Sequence, residues 1–412
     1  MAWAEVAVAA TEQSISGAQP RKVEAKRFGT IVMAALALPA VLPTAVQAEE
    51  APEKGLVGVR YLYYRDEQKV QVQYPRYDGT EPKTFDRITA KAPSVYLLLP
   101  MGSKWSLEAS AVSDDVSGAT PRNYSDVSSA TYKPGGMHDE RHAGDLKITR
   151  HFDRAGVSLG VSHSTEHDYK STAFSLDFRV ATSNNNTTFN FGVGGSRDEI
   201  NPVNSAVVDG RKRTKEYMAG VTHALTANDL VQVNATYSDG RGYFNDPYKR
   251  QDVRPDRRKQ TAVLTRWNHH FDGPDATLRS GYRYYTDTFG VVAHMFEAAW
   301  VQPIGSMFAL TPSVRYATQG AADFYYDPVM DASIYPRPVN KDQTYTSTDQ
   351  RLAGFGAVTL GLRAEVRLGD WTADVKYERS EQRGEWRSFG KGSPNLDPFL
   401  WQAVQLGLTT KF

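Results

Sequence analysis

Charged residues in the C-terminal third of the chain recur at alternate positions: Arg279 and Arg283, then Glu297, then Arg315, then Arg363, Glu365 and Arg367, then Asp374, Lys376 and Glu378. Apolar residues occupy the positions between them, among them Leu278, Phe296, Val314, Leu362 and Val375. Side chains two apart share one face of a strand, so the pattern puts every charge on one side of a sheet. Two uses of such a wall stand side by side. It could line an aqueous constriction whose transverse field selects small polar or charged solutes. It could instead be a salt-bridged wall that fills or stiffens an interior, because strands lie about 4.8 Å apart and opposite charges on neighbours can pair.

Other groups offer weaker chemistry. Asp114 and Asp115 precede Ser117, Gly118 and Pro121 in what reads as a loop. Two adjacent carboxylates there could hold a hard cation or act as an acid and base. A tight loop anchor is the simpler reading, since Gly118 permits unusual dihedrals and Pro121 keeps Thr120 extended. His138 and His142 would share a metal on a helix, but along a strand they stand about 13 Å apart. His269 and His270 close a strand beside a turn and suit an interface. Basic groups at Arg211, Lys212, Arg213 and Lys215, and at Arg254, Arg257, Arg258 and Lys259, read as loop residues. They would attract phosphates or anions or simply be solvated. No Ser-His-Asp order, phosphate loop or dinucleotide fingerprint stands in a suitable context. The sequence therefore predicts no catalytic residue, metal or cofactor, and no enzyme; a hydrolase using Asp114 and Asp115 is the third-ranked reading.

The elements that must position these groups are strands. Val57, Val59, Tyr61 and Tyr63 alternate with Gly58, Arg60, Leu62 and Tyr64, and the same period of two runs through 105–112, 174–181, 231–238 and 372–378. No long stretch has a helical period. Short connections rich in Gly, Pro, Asn and Asp, at 100–104, 153–154, 182–186, 226–228, 272–275, 303–306 and 369–370, alternate with mostly long ones at 66–86, 113–140, 197–213, 239–258, 321–349 and 380–397. Segregated loop lengths are expected of a barrel whose two ends face different compartments. The pattern predicts an all-β, transmembrane antiparallel β-barrel of about 16 strands, with a range of 12–18. The closing strand carries Val404, Leu406, Leu408, Thr410 and Phe412 on its apolar face. A terminal aromatic there resembles the signal read by barrel-insertion machinery.

Composition agrees. The chain has 412 residues, a net charge of +1 and no cysteine, which argues against nucleic acid as a partner and excludes thiolate sites and disulfides. Mean hydropathy is −0.50, too polar for a helical membrane protein but suited to strands that show lipid every second residue. Aromatic residues make up 11%, enough for interfacial girdles. Arg21, Lys22, Lys26 and Arg27 precede an uncharged run from Phe28 to Val46, then Val46-Gln47-Ala48. This reads as a leader and signal peptide over 1–48, with one barrel domain over 49–412.

Several segments resemble a known family. Asp115-Val116-Ser117-Gly118-Ala119-Thr120-Pro121, Gly242-Tyr243-Phe244-Asn245-Asp246-Pro247-Tyr248, Tyr282-Arg283-Tyr284-Tyr285-Thr286-Asp287, and Arg315-Tyr316 followed by Gln319-Gly320-Ala321-Ala322-Asp323-Phe324-Tyr325 are similar to motifs of a bacterial domain-of-unknown-function family of predicted outer-membrane barrels. The resemblance implies a barrel in the bacterial outer membrane, among its lipids and lipopolysaccharide, and no activity. The resulting expectation is a porin-like channel for passive diffusion of small polar solutes. The alternative is a non-conducting barrel that serves as scaffold or receptor for an envelope partner; a homo-oligomer fits either. Segments 113–140 and 321–349 are the candidates for folding into the bore.

Overall fold

Alternation closes the chain on itself. The structure, a computed structural model, describes residues 51–69, 84–118, 137–202, 209–247, 249, 252–327 and 343–412. The signal-peptide reading over 1–48 and the position of Pro121 fall outside these residues. The strands are β1 Leu56–Lys69, β2 Thr84–Met101, β3 Trp105–Gly118, β4 Met137–Phe152, β5 Ala155–Thr165, β6 Tyr169–Ala181, β7 Thr187–Ile200, β8 Gly210–Ala224, β9 Asp229–Gly242, β10 Asp252–Val253, β11 Arg257–Phe271, β12 Ala276–Asp287, β13 Val292–Ile304, β14 Phe308–Gln319, β15 Thr346–Ser347, β16 Phe355–Leu368, β17 Trp371–Arg383 and β18 Phe399–Lys411. All but β10 and β15 form one closed antiparallel barrel of sixteen strands, each paired with its neighbour in sequence. The two short ones pair with each other between loops. Among the described residues no helix is long and apolar enough to cross a membrane.

Closure satisfies every strand edge, which is what a backbone in hydrocarbon requires. β1 meets β18 in continuous register from Leu56↔Lys411 to Gln68↔Phe399. Gly55 and Phe412 extend the seam by two reciprocal backbone bonds of 2.9 and 3.1 Å. A Cβ at Gly55 would fall 2.5 Å from the Phe412 ring, so a side chain there would force that ring to move. Leu406, Leu408 and Phe412 face outward, as the period of two predicts.

The outer wall is apolar. Leu159, Phe174, Phe191, Leu360, Leu362 and Leu406 are each exposed by half or nearly so, a density that a water-facing surface does not carry. Trp105, Phe308 and Trp371 begin strands, and Phe152 ends one, at the end of short turns; they form an aromatic girdle. Those turns use left-handed residues, among them Gly102 (φ 66°), Asn185 (55°), Asp275 (50°) and Gly369 (62°). At the opposite, loop end the strands run further than the sequence suggested, so several long connections are shorter. Arg211, Lys212, Arg213 and Lys215 lie in β8, and Arg257, Arg258 and Lys259 in β11. Of those basic groups only Arg254 lies in a loop.

Candidate functional site

The predicted charges share the inner face, and the pairing registers arrange them in rungs. One rung runs Arg266, Gly281, Glu297, Arg315, Thr359 and Ser380 across β11 to β17. The next toward the turn end runs Asn268, Arg279, Ala299, Ser313, Gly361 and Glu378. Beyond it Arg363 pairs in register with Lys376, and then Glu365 with Asp374. Arg283 lies one rung toward the loop end, opposite Met295.

Small residues let the long ones lie flat. Glu297 rests over Gly281, where a Cβ would fall 2.7 Å from its Oε1. Arg315 donates from Nη2 to Glu378 Oε1 at 3.0 Å, and Glu378 lies beside Gly361, where a Cβ would fall 3.3 Å from its Cγ. Arg60 approaches Asp374 over Gly407, at 3.7 Å. Arg363 donates Nε to Asp374 at 3.2 Å. Its Nη2 sits 3.2 Å from Glu365 Oε2, close enough for an ion pair but without hydrogen-bond geometry. Lys376 pairs with Glu378 at 3.1 Å. Arg367 pairs with Glu365 at 2.6 Å but is half exposed, at the turn-end rim. Much of the predicted wall is therefore ion-paired, as the second sequence reading required. The exceptions carry the chemistry. Among the described residues Arg279 and Arg283 make no ion pair, and the buried Arg283 Nε, Arg315 Nε and Glu297 Oε2 find no hydrogen-bond partner. A cavity of about 40 Å³ opens beside Arg279, Glu297 and Arg315, lined also by Arg266, Ser313 and Glu378 among others.

Among the described residues the opposite wall carries a carboxylate without a cation. β4 and β12 lie near opposite sides of the ring. Asp145 on β4 is buried on the inner face and accepts bonds from Ser110 (2.9 Å) and Ser162 (2.6 Å), with no cation among its described contacts. Asp114 lies on this wall too, paired with Arg141 at 2.5 Å. This corrects the loop reading: Asp114, Asp115, Ser117 and Gly118 belong to β3. Successive strand residues face opposite ways, so Asp114 is buried inside and Asp115 is exposed outside. They cannot act as a carboxylate pair. His142 is exposed on the outer face beside Glu140.

Part of the loop end is capped. The predicted inward segment 321–349 contributes, in its described part, Ala322, Phe324 and Tyr325, and Leu352 follows just beyond it. These pack with Phe289, Val291 and Leu396 onto the inner-face residues Tyr285, Ala293, Met295, Ala317 and Phe355. Of the other candidate, 113–140, residues 119–136 lie outside the described residues. Three segments that carry the family resemblance meet here: Phe244 from the first, Tyr285 from the second, Gln319, Ala322 and Phe324 from the third. Phe289 stands edge-on to Phe244 (6.0 Å) and Phe324 (5.0 Å), a favoured aromatic geometry.

Beside this apolar cluster lies an ionic one that sequence reasoning missed. Asp349 caps a 3-10 turn, Gln350–Leu352. It accepts from Arg351 Nε at 2.7 and 2.6 Å and from Arg254 Nη2 at 2.7 Å, and lies 3.8 Å from Lys249. Arg254 also bonds Asp252 (2.6 Å), and Arg351 bonds Asp246 (2.5 Å). Burial alone would raise the Asp349 carboxyl, but the charges of Arg351, Lys249 and Arg254 outweigh it and hold it well below the usual carboxylate value. Burial lowers the Lys249 ammonium in spite of Asp349 and Asp246. Asp246 stood in a resembling segment; nothing in sequence spacing linked it to residues about a hundred positions away.

The profile of a family described as "Protein of unknown function (DUF3570)" matches residues 28–210 and 204–395. No curated protein matches the chain in sequence. Similar solved structures include the siderophore receptor PirA from Pseudomonas aeruginosa, at 10% identity over 88% of this chain and 81% of that one, with a TM-score of 0.45. A bacterial polysaccharide outer membrane secretin is 10% identical over 86% and 98%, with a TM-score of 0.45. A Pseudomonas aeruginosa FadL homologue is 11% identical over 87% and 90%, with a TM-score of 0.41. At these identities the likeness extends to no substrate or mechanism.

Proposed function

The chain belongs to the DUF3570 family, and from its inner wall we propose that it is a porin-like channel of the bacterial outer membrane, for passive diffusion of small polar solutes. One observation carries this reading: charge of opposite sign is left without ionic partners on facing walls, Arg279 and Arg283 on β12 against Asp145 on β4. A wall built only for stiffness would neutralise its arginines, since a buried charge without a partner costs several kcal/mol by rough estimate. A solute crossing between these walls meets a transverse field that orders its dipole and discriminates by charge. The apolar exterior and its girdle face lipid and lipopolysaccharide, and insertion would use the barrel machinery.

Planar-bilayer recording tests the proposal. The expected result is steady open steps. Arg283→Glu and Arg315→Glu should each shift the reversal potential in a salt gradient toward cations, because each exchanges a positive for a negative inner charge. Silence of the folded wild type, or unchanged reversal potentials in both variants, refutes it. The capped loop end favours a second reading: a non-conducting barrel that acts as scaffold or receptor for an envelope partner. Silent protein that binds such a partner is its expected signature.

A further inference from the structure

The hollow beside Arg279 has the chemistry of a ligand subsite. Its rung places Ala299, Ser313 and Gly361 between Arg279 and Glu378. Three short inner residues in a row lower the wall there by the length of a side chain. The longer residues of the flanking rung, Arg266, Glu297 and Arg315, close the loop-end side of the hollow. On the far side Arg315 and Glu378 are joined by their 3.0 Å bond, so that pair is already satisfied. Arg279 is not: among the described residues it makes neither a hydrogen bond nor an ion pair, and it borders the cavity. Arg363, Glu365 and Arg367 act on its charge from beyond bonding distance. The buried Arg315 Nε is a second donor left without an acceptor at the same hollow.

We infer that this hollow is a docking subsite for small organic acids, with the solute carboxylate on Arg279. A guanidinium presents two parallel donors that match a carboxylate in a planar fork. The space of about 40 Å³ suits a carboxylate group and a water or two rather than a sugar ring. The Ser313 hydroxyl in the lining can serve the solute's polar remainder. Glu297 and Glu378 on the same lining repel a carboxylate docked against them and so fix which side of the hollow it occupies. The site rests on the channel reading only in making its occupant a solute in transit.

The test uses the full barrel in detergent, with succinate as probe, followed by isothermal titration calorimetry, and the same protein in a planar bilayer. Succinate should bind wild type in the millimolar range. Arg279→Gln should weaken it about tenfold or more, the equivalent of losing one charge-assisted hydrogen bond of about 1.5 kcal/mol. Arg279→Lys should fall between, since a point charge cannot form the fork. Asp370→Asn, in an exposed turn-end ion pair away from the hollow, should leave the affinity unchanged. In the bilayer, succinate should shorten open events in wild type and not in Arg279→Gln. Equal affinity of wild type and Arg279→Gln, or no heat of binding at 100 mM probe (about 100 times a 1 mM Kd), overturns the subsite. A barrel that binds succinate through Arg279 yet never conducts keeps the subsite and overturns the channel.

Discussion

Replacing Asp349 by Asn isolates the loop-end network from the barrel. Asp349 is fully buried and holds Arg351, Arg254 and, more loosely, Lys249. Among the described residues the carboxylates Asp246, Asp252 and Asp349 face the cations Arg254, Arg351 and Lys249. Asn keeps the shape but removes one negative charge from this buried set. Arg254 retains Asp252 and Arg351 retains Asp246, while Lys249 loses the carboxylate 3.8 Å from it. Breaking one side of a buried ion pair costs about 3–5 kcal/mol. At about 1.4 kcal/mol per decade, loop opening should rise by about two to three and a half decades. The sixteen-strand ladder does not depend on these residues, so the barrel should keep its heat-modifiable migration in SDS gels. Trypsin reads the opening directly, because the Arg351–Leu352 bond is itself a cleavage site sequestered in the network. Cleavage after Arg351, followed by mass spectrometry on purified protein in detergent, should accelerate by at least a hundredfold in Asp349→Asn. Asp370→Asn is the control: its pair with Lys54 is more than half exposed and worth under about 1 kcal/mol. Acceleration of less than threefold in Asp349→Asn would refute the assignment of this network as what holds the loops.

The same carboxyl sets an acid limit. Its folded pKa lies well below the ordinary Asp value of 3.8, so its contribution is complete above that value and disappears only as pH falls through the depressed one. Hydrogen exchange at Arg351 and Leu352, corrected for intrinsic rates, should stay protected from neutral pH down to about 4 and be lost below; loss already between pH 5 and 7 would contradict it. On the inner wall, Gly281→Val puts a Cβ 2.7 Å from Glu297 Oε1 and should push that carboxylate off the wall. Single-channel conductance is expected to fall, whereas Gly273→Val, in a turn with open space around its Cβ position, should leave it unchanged.

The sequence by itself determined the barrel. A period of two fixes which side chains meet lipid and which face inward, because a charge on the lipid face costs about 2–4 kcal/mol for Arg or Lys at mid-bilayer. Hence the inward sense of Arg283, Arg315, Glu365 and Asp374, the strand count and the outward Leu406, Leu408 and Phe412 were all legible. Strand ends were less so: polar stretches such as 211–215 and 257–259 look like loops, yet strands that stand clear of the bilayer can be polar on both faces. That is why Asp114 and Asp115, read as a loop pair, turned out to sit on opposite sides of β3. Only the tertiary structure decided which charges meet. Register puts Gly361 between Arg315 and Glu378 and leaves Arg279 beside three short residues, and register depends on pairing between chains of residues that no local spacing links. The loop cap is the extreme case. Asp246 and Arg351, or Phe244 and Phe324, come together because the barrel brings the ends of β9, β12, β14 and β16 to one mouth, and burial there makes their contacts strong.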